Sequence, residues 1–172
     1  MTQWSQFIKG FEMKKQMAWL LILMLAGTGL AQAATEDKEV LVAAENFYSA
    51  LNAMFTGDPE PMKNVWSHAD DVTYMGPAGG LQTGWPAVET VWDTHAAMKL
   101  GGKVTPDRMQ IFAGEDISLT LNYEIGENFD ENGVRQEVSI RATNVFRKED
   151  GQWKMIGHHT DLLPYLEKQT AQ

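Results

Sequence analysis

Cysteine is absent from all 172 residues, which excludes a disulfide framework, a thiol nucleophile and thiolate metal ligands. Cations are scarce: 14 lysines and arginines against 23 aspartates and glutamates leave a net charge of −9, a balance that repels phosphate backbones and argues against nucleic acid as a partner. Long apolar runs are missing as well. The longest, Met17–Ala26, is shorter than the ~20 residues a membrane-crossing helix needs. No repeat, low-complexity tract or linker interrupts Thr35 to Leu166, and the length suits one domain with a core rather than two.

The apolar run has a specific setting. Lys14 and Lys15 precede it, and Gly27-Thr28-Gly29-Leu30 leads from it to Ala31-Gln32-Ala33, the order of a secretory signal peptide cleaved after Ala33. Residues 1–33 are therefore expected to be a leader and residues 34–172 a single exported domain, periplasmic or secreted and free of the membrane after cleavage. A retained membrane anchor is the alternative; lipid attachment is excluded because no cysteine follows. Met13 is an alternative start, with Lys14 and Lys15 directly behind it. Removing residues 1–33 takes away Lys9, Lys14, Lys15 and Glu12, so the charge of the remainder is −11.

After Thr35, a capping residue followed by Glu36-Asp37, apolar residues recur at Val40, Leu41, Ala44, Phe47, Tyr48, Leu51 and Met54, which predicts one helix with one buried stripe. Asp58-Pro59 opens a short second helix, and Thr83-Gly84-Trp85-Pro86 a third, with Val88, Val91, Trp92, His95 and Lys99 at helical spacing. A strand at Asp71–Gly76 lies between them. From Lys103 the period changes to two: strands are expected at Arg108–Phe112, with Pro106 marking a bend or an edge, and at Ile117–Ile125, then across a Gly126–Gly133 loop in a long hairpin around Lys148-Glu149-Asp150-Gly151. Helices segregated against four long antiparallel strands make an α+β domain.

If the hairpin turn pairs Arg147 with Gln152, then Phe146 faces Trp153, Asn144 faces Met155, Ala142 faces Gly157 and Ile140 faces His159. One sheet face then carries these residues with Asp161 and is apolar except for an amide, an imidazole and a carboxylate, as in the wall of a pocket. His159 and Asp161 are candidates for a general-base pair, with Asn144 or a tyrosine hydroxyl donating to an oxyanion. Tyr48, Trp66, Tyr74, Trp92 and His95 are candidates for an aromatic lining around a flat, apolar molecule. The alternatives stay open: His159 can simply tie its strand to a carbonyl, and the tryptophans and His95 can be core. His68 and His158 are expected outside the pocket. Neither a metal nor a cofactor is expected, because no ligand pair shows a tight spacing such as His-x-x-x-His. The opposite face, with Ser118, Thr120, Asn122, Ser139, Arg141, Thr143, Val145, Ile156, His158 and Thr160, is poor in lysine and glutamate, as expected of a homodimer interface.

The series Phe47-Tyr48, then Trp66-Ser67-His68-Ala69-Asp70-Asp71-Val72-Thr73-Tyr74, then Gly84, then Arg147-Lys148-Glu149-Asp150-Gly151-Gln152-Trp153-Lys154 resembles the nuclear transport factor 2-like superfamily, in particular its SnoaL-like and ketosteroid isomerase-like members. The resemblance implies a cone-shaped, curved antiparallel sheet wrapped around three N-terminal helices, with a pocket at the open end and dimers through the outer sheet face. It puts the isomerase carboxylate base at Gly76 and the acid at Asn144, so that machinery is not carried over. It also aligns His159 with the second histidine of the Trp-x-x-x-His-x-His pattern of calcium/calmodulin-dependent kinase II association domains, the first being replaced by Gly157. The expected function is an exported domain binding a small apolar or aromatic molecule; the alternatives are an isomerase, dehydratase or cyclase using His159 and Asp161, and a non-catalytic oligomerisation module.

Overall fold

The computed structural model describes residues 35–130 and 132–161. The chain divides into two units, 1–36 and 37–172, and the fold is that of the second. The predicted leader and the polar C-terminal tail lie outside the described residues. Among those described, no helix is long and apolar enough to cross a membrane.

Helix α1 covers residues 35–55 and presents the expected stripe, with Val40, Ala44, Phe47 and Met54 fully buried, except that Leu41 lies beside the stripe and is exposed. Helix α2 (Glu60–Val65) follows Pro59 and buries Met62. Strands β1 (Thr73–Met75) and β2 (Gln82–Thr83) form a small antiparallel pair, and helix α3 (Trp85–Met98) starts where Gly84, at φ 83°, turns the chain. Trp85, Val88, Trp92 and Ala96 are its buried face, and Lys99 ends it in the left-handed conformation. Four long strands complete the domain: β3 (Lys103–Phe112), β4 (Ile117–Phe129), β5 (Arg135–Glu149) and β6 (Gln152–Asp161).

The six strands form one curved sheet in the order β2-β1-β6-β5-β4-β3, an α+β architecture as expected. It is mixed rather than wholly antiparallel, because β1 runs parallel to β6. Among the described residues β3 is an edge strand, where Pro106 costs no ladder bond. The expected Gly126–Gly133 loop is shorter than predicted: Gly126 continues β4, where any side chain would run into the backbone of Lys103 and Val104. Helix α1 is pinned to the edge strand by Asn52, whose Nδ2 donates to the Val104 carbonyl and whose Oδ1 accepts from the Val104 N–H, both at 2.8 Å.

The hairpin differs from the predicted pairing in two ways. Its turn has only two residues, Asp150 and Gly151, at φ 49° and 78°, so Glu149 pairs with Gln152 and Phe146 with Met155. Both positive angles suit the tight turn whose twist matches the strands. Further along, Val145 pairs with Gly157, which leaves Ile156 as a one-residue bulge. A single extra residue inverts the facing of everything beyond it. His158 therefore pairs with Asn144 and points inward, buried, while His159 pairs with Thr143 and points out, with its side chain 44% exposed.

Strand β4 is also inverted relative to expectation. Ser118, Thr120 and Asn122 are buried on the inner face, opposite Phe146, Asn144 and Ala142, and Glu124 continues the row opposite Ile140. The outer face receives the apolar residues Ile117, Leu121, Tyr123 and Ile125, all exposed. Thr160 is likewise inward. The polar residues turn inward because they find partners there.

Candidate functional site

Beneath the sheet, between its inner face and α1 and α3, lies a cavity of about 470 Å³. Leu51, Met54, Phe55, Trp92, Val104 and Ile140 supply apolar walls, and its titratable groups are His95, Glu124, Glu137 and His158 with the Tyr74 hydroxyl.

Glu124 is the unusual member. It comes from the middle of β4, is only 4% exposed, and burial pushes its carboxyl up to about 7 despite a hydrogen bond that pulls the other way. That bond comes from Tyr48 on α1, whose hydroxyl donates to Oε1 at 3.1 Å. Burial, followed by the nearby Glu124 charge, pushes Tyr48 well above its ordinary value, so it stays a phenol. Its oxygen in turn accepts from Asn122 Nδ2 at 2.7 Å and Asn144 Nδ2 at 3.3 Å.

These contacts fix the orientation of the next group. Because the Tyr48 proton is committed to Glu124, the Asn144 atom facing Tyr48 must be the amide nitrogen, which also donates to Thr120 Oγ1 at 3.0 Å. Asn144 Oδ1 is then left for His158 Nδ1 at 2.6 Å, so that ring nitrogen carries the proton and Nε2 holds a lone pair. Burial, with a smaller effect of neighbouring His159, holds His158 down to about 3, so it is neutral. Its Nε2 lies 3.8 Å from Glu124 Oε1, too far for a direct hydrogen bond. Glu124 Oε2 makes no hydrogen bond to any described residue.

Tyr74 and Trp92 meet edge to face at 4.6 Å, and Tyr74 lies parallel to His158 at 5.9 Å. Burial and then the Glu124 charge raise the Tyr74 hydroxyl well above its ordinary value. Gly76, the position aligned with the isomerase base, also lines the cavity. A Cβ there would lie 2.3 Å from the Tyr74 hydroxyl oxygen, so no side chain fits without moving that ring. Burial lowers the basicity of His95.

Of the predicted ligand residues, Tyr74, Trp92 and His95 line the cavity, whereas Tyr48, Trp66 and Asn144 are buried behind its wall. His159 and Asp161 do meet, at 3.2 Å, but on the outer sheet face beside Arg141, because the Ile156 bulge turned them there. They are not part of this cavity. Glu124 and His158 were missed; Gly157, an isolated glycine inside a strand pattern, was the available signal of a bulge. Among the described residues no group of three or more His, Asp or Glu side chains could hold a metal ion.

The sequence profile described as the SnoaL-like domain matches residues 42–163, more than half of the chain. No curated relative of significant similarity was found. Solved structures share the fold. A protein from Streptomyces avermitilis provisionally described as a dehydratase of the nuclear transport factor 2-like family is similar at TM-score 0.67 and 22% identity, over 76% of this chain and 98% of that one. A nuclear transport factor 2-like protein of unknown function from Pseudomonas putida is similar at TM-score 0.66 and 19% identity, over 79% and 92%. A domain from Thiobacillus denitrificans, provisionally described as a calcium/calmodulin-dependent protein kinase type II association domain, is similar at TM-score 0.56 and 24% identity, over 70% and 92%. With its profile match over more than half of its length, the chain belongs to the SnoaL-like domain family, and its fold is the one these nuclear transport factor 2-like proteins share.

Proposed function

We propose that this is an exported domain that binds a small, largely apolar molecule in the cavity, with the polar end of the ligand on Glu124. The observation that carries the reading is a buried carboxyl with one unused oxygen on the wall of an otherwise apolar chamber. A volume of about 470 Å³ falls in the usual range for small-molecule sites. A donor on the ligand would supply the hydrogen bond to that oxygen that no described residue makes.

Native mass spectrometry of freshly purified protein, together with tryptophan-fluorescence titration of 2-phenylethanol, tests this. Retained ligand, or saturable binding abolished by Ile140→Trp with circular dichroism unchanged, is the expected outcome. An empty cavity that takes up no apolar probe overturns it. N-terminal sequencing of exported material should begin at Ala34; retention of Lys14 and Lys15 on a membrane-bound product overturns export.

A second reading, proton transfer of the isomerase or dehydratase kind, is favoured by one specific feature. Glu124 titrates near neutrality and lies beside a neutral imidazole lone pair, so a substrate atom within hydrogen-bond reach of Glu124 from the cavity can lose and regain a proton there. This role moves from His159 and Asp161 to Glu124. For assembly we propose a homodimer through the outer sheet face, where Ile117, Leu121, Tyr123 and Ile125 expose an apolar stripe. Light scattering should give a dimer mass for the wild type and a monomer mass for Leu121→Glu; a monomeric wild type at micromolar concentration overturns it.

A further inference from the structure

The groups offered to the cavity are biased in the sign of the charge they can carry. Among the described residues, no lysine or arginine lines it. His158, its one fully buried histidine, is neutral and presents a lone pair at Nε2, and burial also favours the neutral form of His95. Glu124 Oε2 is a free acceptor, and Gln82 Oε1, also on the lining, is buried without a partner. Trp92 Nε1, also on the lining, is a buried donor without a partner, so the bias lies in charge rather than in hydrogen-bonding kind: among the described lining residues, the charge that can develop is negative. The Trp92 and Tyr74 rings stand on the same wall, and aromatic faces attract cations.

We infer that the cavity selects apolar amines, held as ammonium ions with the nitrogen on Glu124 Oε2, over isosteric alcohols and carboxylates. This rests on the binding reading above and narrows it to a ligand class. An ammonium group brings three donors and no acceptor, which complements the free oxygens and the imidazole lone pair. A carboxylate would bring acceptors to acceptors and a like charge to Glu124, in a place where little water screens the repulsion. The Tyr48 hydroxyl, committed to Oε1, holds the carboxyl so that Oε2 remains for the ligand.

The charged and titratable groups around Glu124 are Tyr48 on α1, Tyr74 on β1, His95 on α3, Glu137 on β5 and His158 on β6. Of these, Glu137 alone is an exposed acid, towards the outer end of its strand. The selectivity should therefore follow the ionisation of Glu124.

The test titrates wild type, Glu124→Gln and Glu137→Gln with 2-phenylethylamine, 2-phenylethanol and phenylacetate by calorimetry at about pH 8 and about pH 5.5. At the higher pH the amine should bind about tenfold tighter than the alcohol, and phenylacetate should show no measurable binding. Glu124→Gln should abolish the amine preference, and the wild-type preference should shrink at the lower pH. Three results overturn the inference alone: phenylacetate binding as well as the amine, an amine preference that survives Glu124→Gln, or one lost instead in Glu137→Gln. If the alcohol binds and the amine is no tighter, the class is wrong while the binding reading stands. If no probe binds, both fall.

Discussion

Replacing Glu124 with glutamine should stabilise the protein at pH 8 and leave it nearly unchanged at pH 4.5. The unfolded carboxyl titrates near 4.5 and the folded one near 7, so between those values the folded state keeps a proton that the unfolded state has lost, and stability falls as pH rises. The gap, at ~1.4 kcal/mol per pH unit, amounts to a cost of about 3 kcal/mol once pH exceeds 7. Glutamine keeps the shape and an oxygen for Tyr48 and removes the titration. His158 acts with the opposite sign. Its imidazole titrates near 6.5 unfolded and about 3 folded, so between those values the unfolded state binds the extra proton and stability rises with pH.

From 4.5 to 6.5 the two contributions oppose each other and nearly cancel in the wild type. Glu124→Gln should unmask the rise due to His158, and the difference between variant and wild type should grow from near zero at pH 4.5 to about 3 kcal/mol at pH 8. Urea denaturation of both proteins across this range gives the curve, and thermal scans at pH 8 should differ by on the order of 10 °C. Exposed carboxylates are common to both proteins and drop out of the difference. A stability difference independent of pH would refute the reasoning, because it would mean that Glu124 ionises in the fold as it does in water.

Tyr48→Phe leaves Asn122, Asn144 and Glu124 each short of a partner, so it should cost about 2 kcal/mol in urea denaturation and, by removing the bond that lowers it, push the Glu124 titration seen by NMR further up. His159→Asn, on the exposed outer face, should change stability by no more than about 0.5 kcal/mol and leave probe affinity within about threefold; a large loss of affinity would return His159 to the site. Gly76→Asp, which restores a carboxyl at the aligned isomerase position, should destabilise by roughly 1–3 kcal/mol because its Cβ displaces the Tyr74 ring, and a variant as stable as wild type would show that the ring moves freely.

The elements were legible because they rest on local patterns. The stripe of α1 and the proline and glycine at the start of α3 are set by a few adjacent residues and lie where they were read. The candidate site was less legible, because which face a strand presents is a long-range property. In β4 both alternating sets look plausible as an inner face: Ile117, Leu121 and Ile125 are the apolar choice, and Ser118, Thr120, Asn122 and Glu124 the polar one. Hydrophobicity favours the first set. The second is inside because Tyr48, seventy-six residues before Glu124, and Asn144 from the next strand bring matching donors and acceptors to the same place. No window of sequence contains that information.

Strand β6 shows the same limit in a sharper form. Up to Met155 the expected facing is right, and after Ile156 every residue is reversed. The cause is the second neighbour of β6. Its inner end pairs with Trp66 and accepts a bond from Ser67 at Met155, while its outer end runs parallel to β1 from Gly157 onward. A strand held by the hairpin on one side and by two separate segments on the other accommodates both with one extra residue, after which Gly157 packs against Thr73 and Val145. That single insertion moves His159 and Asp161 to the outer face and sets His158 against Asn144. The chemistry of the cavity, a neutral imidazole and a poised carboxyl joined through an amide and a phenol, is thus a consequence of how the sheet closes rather than of any motif.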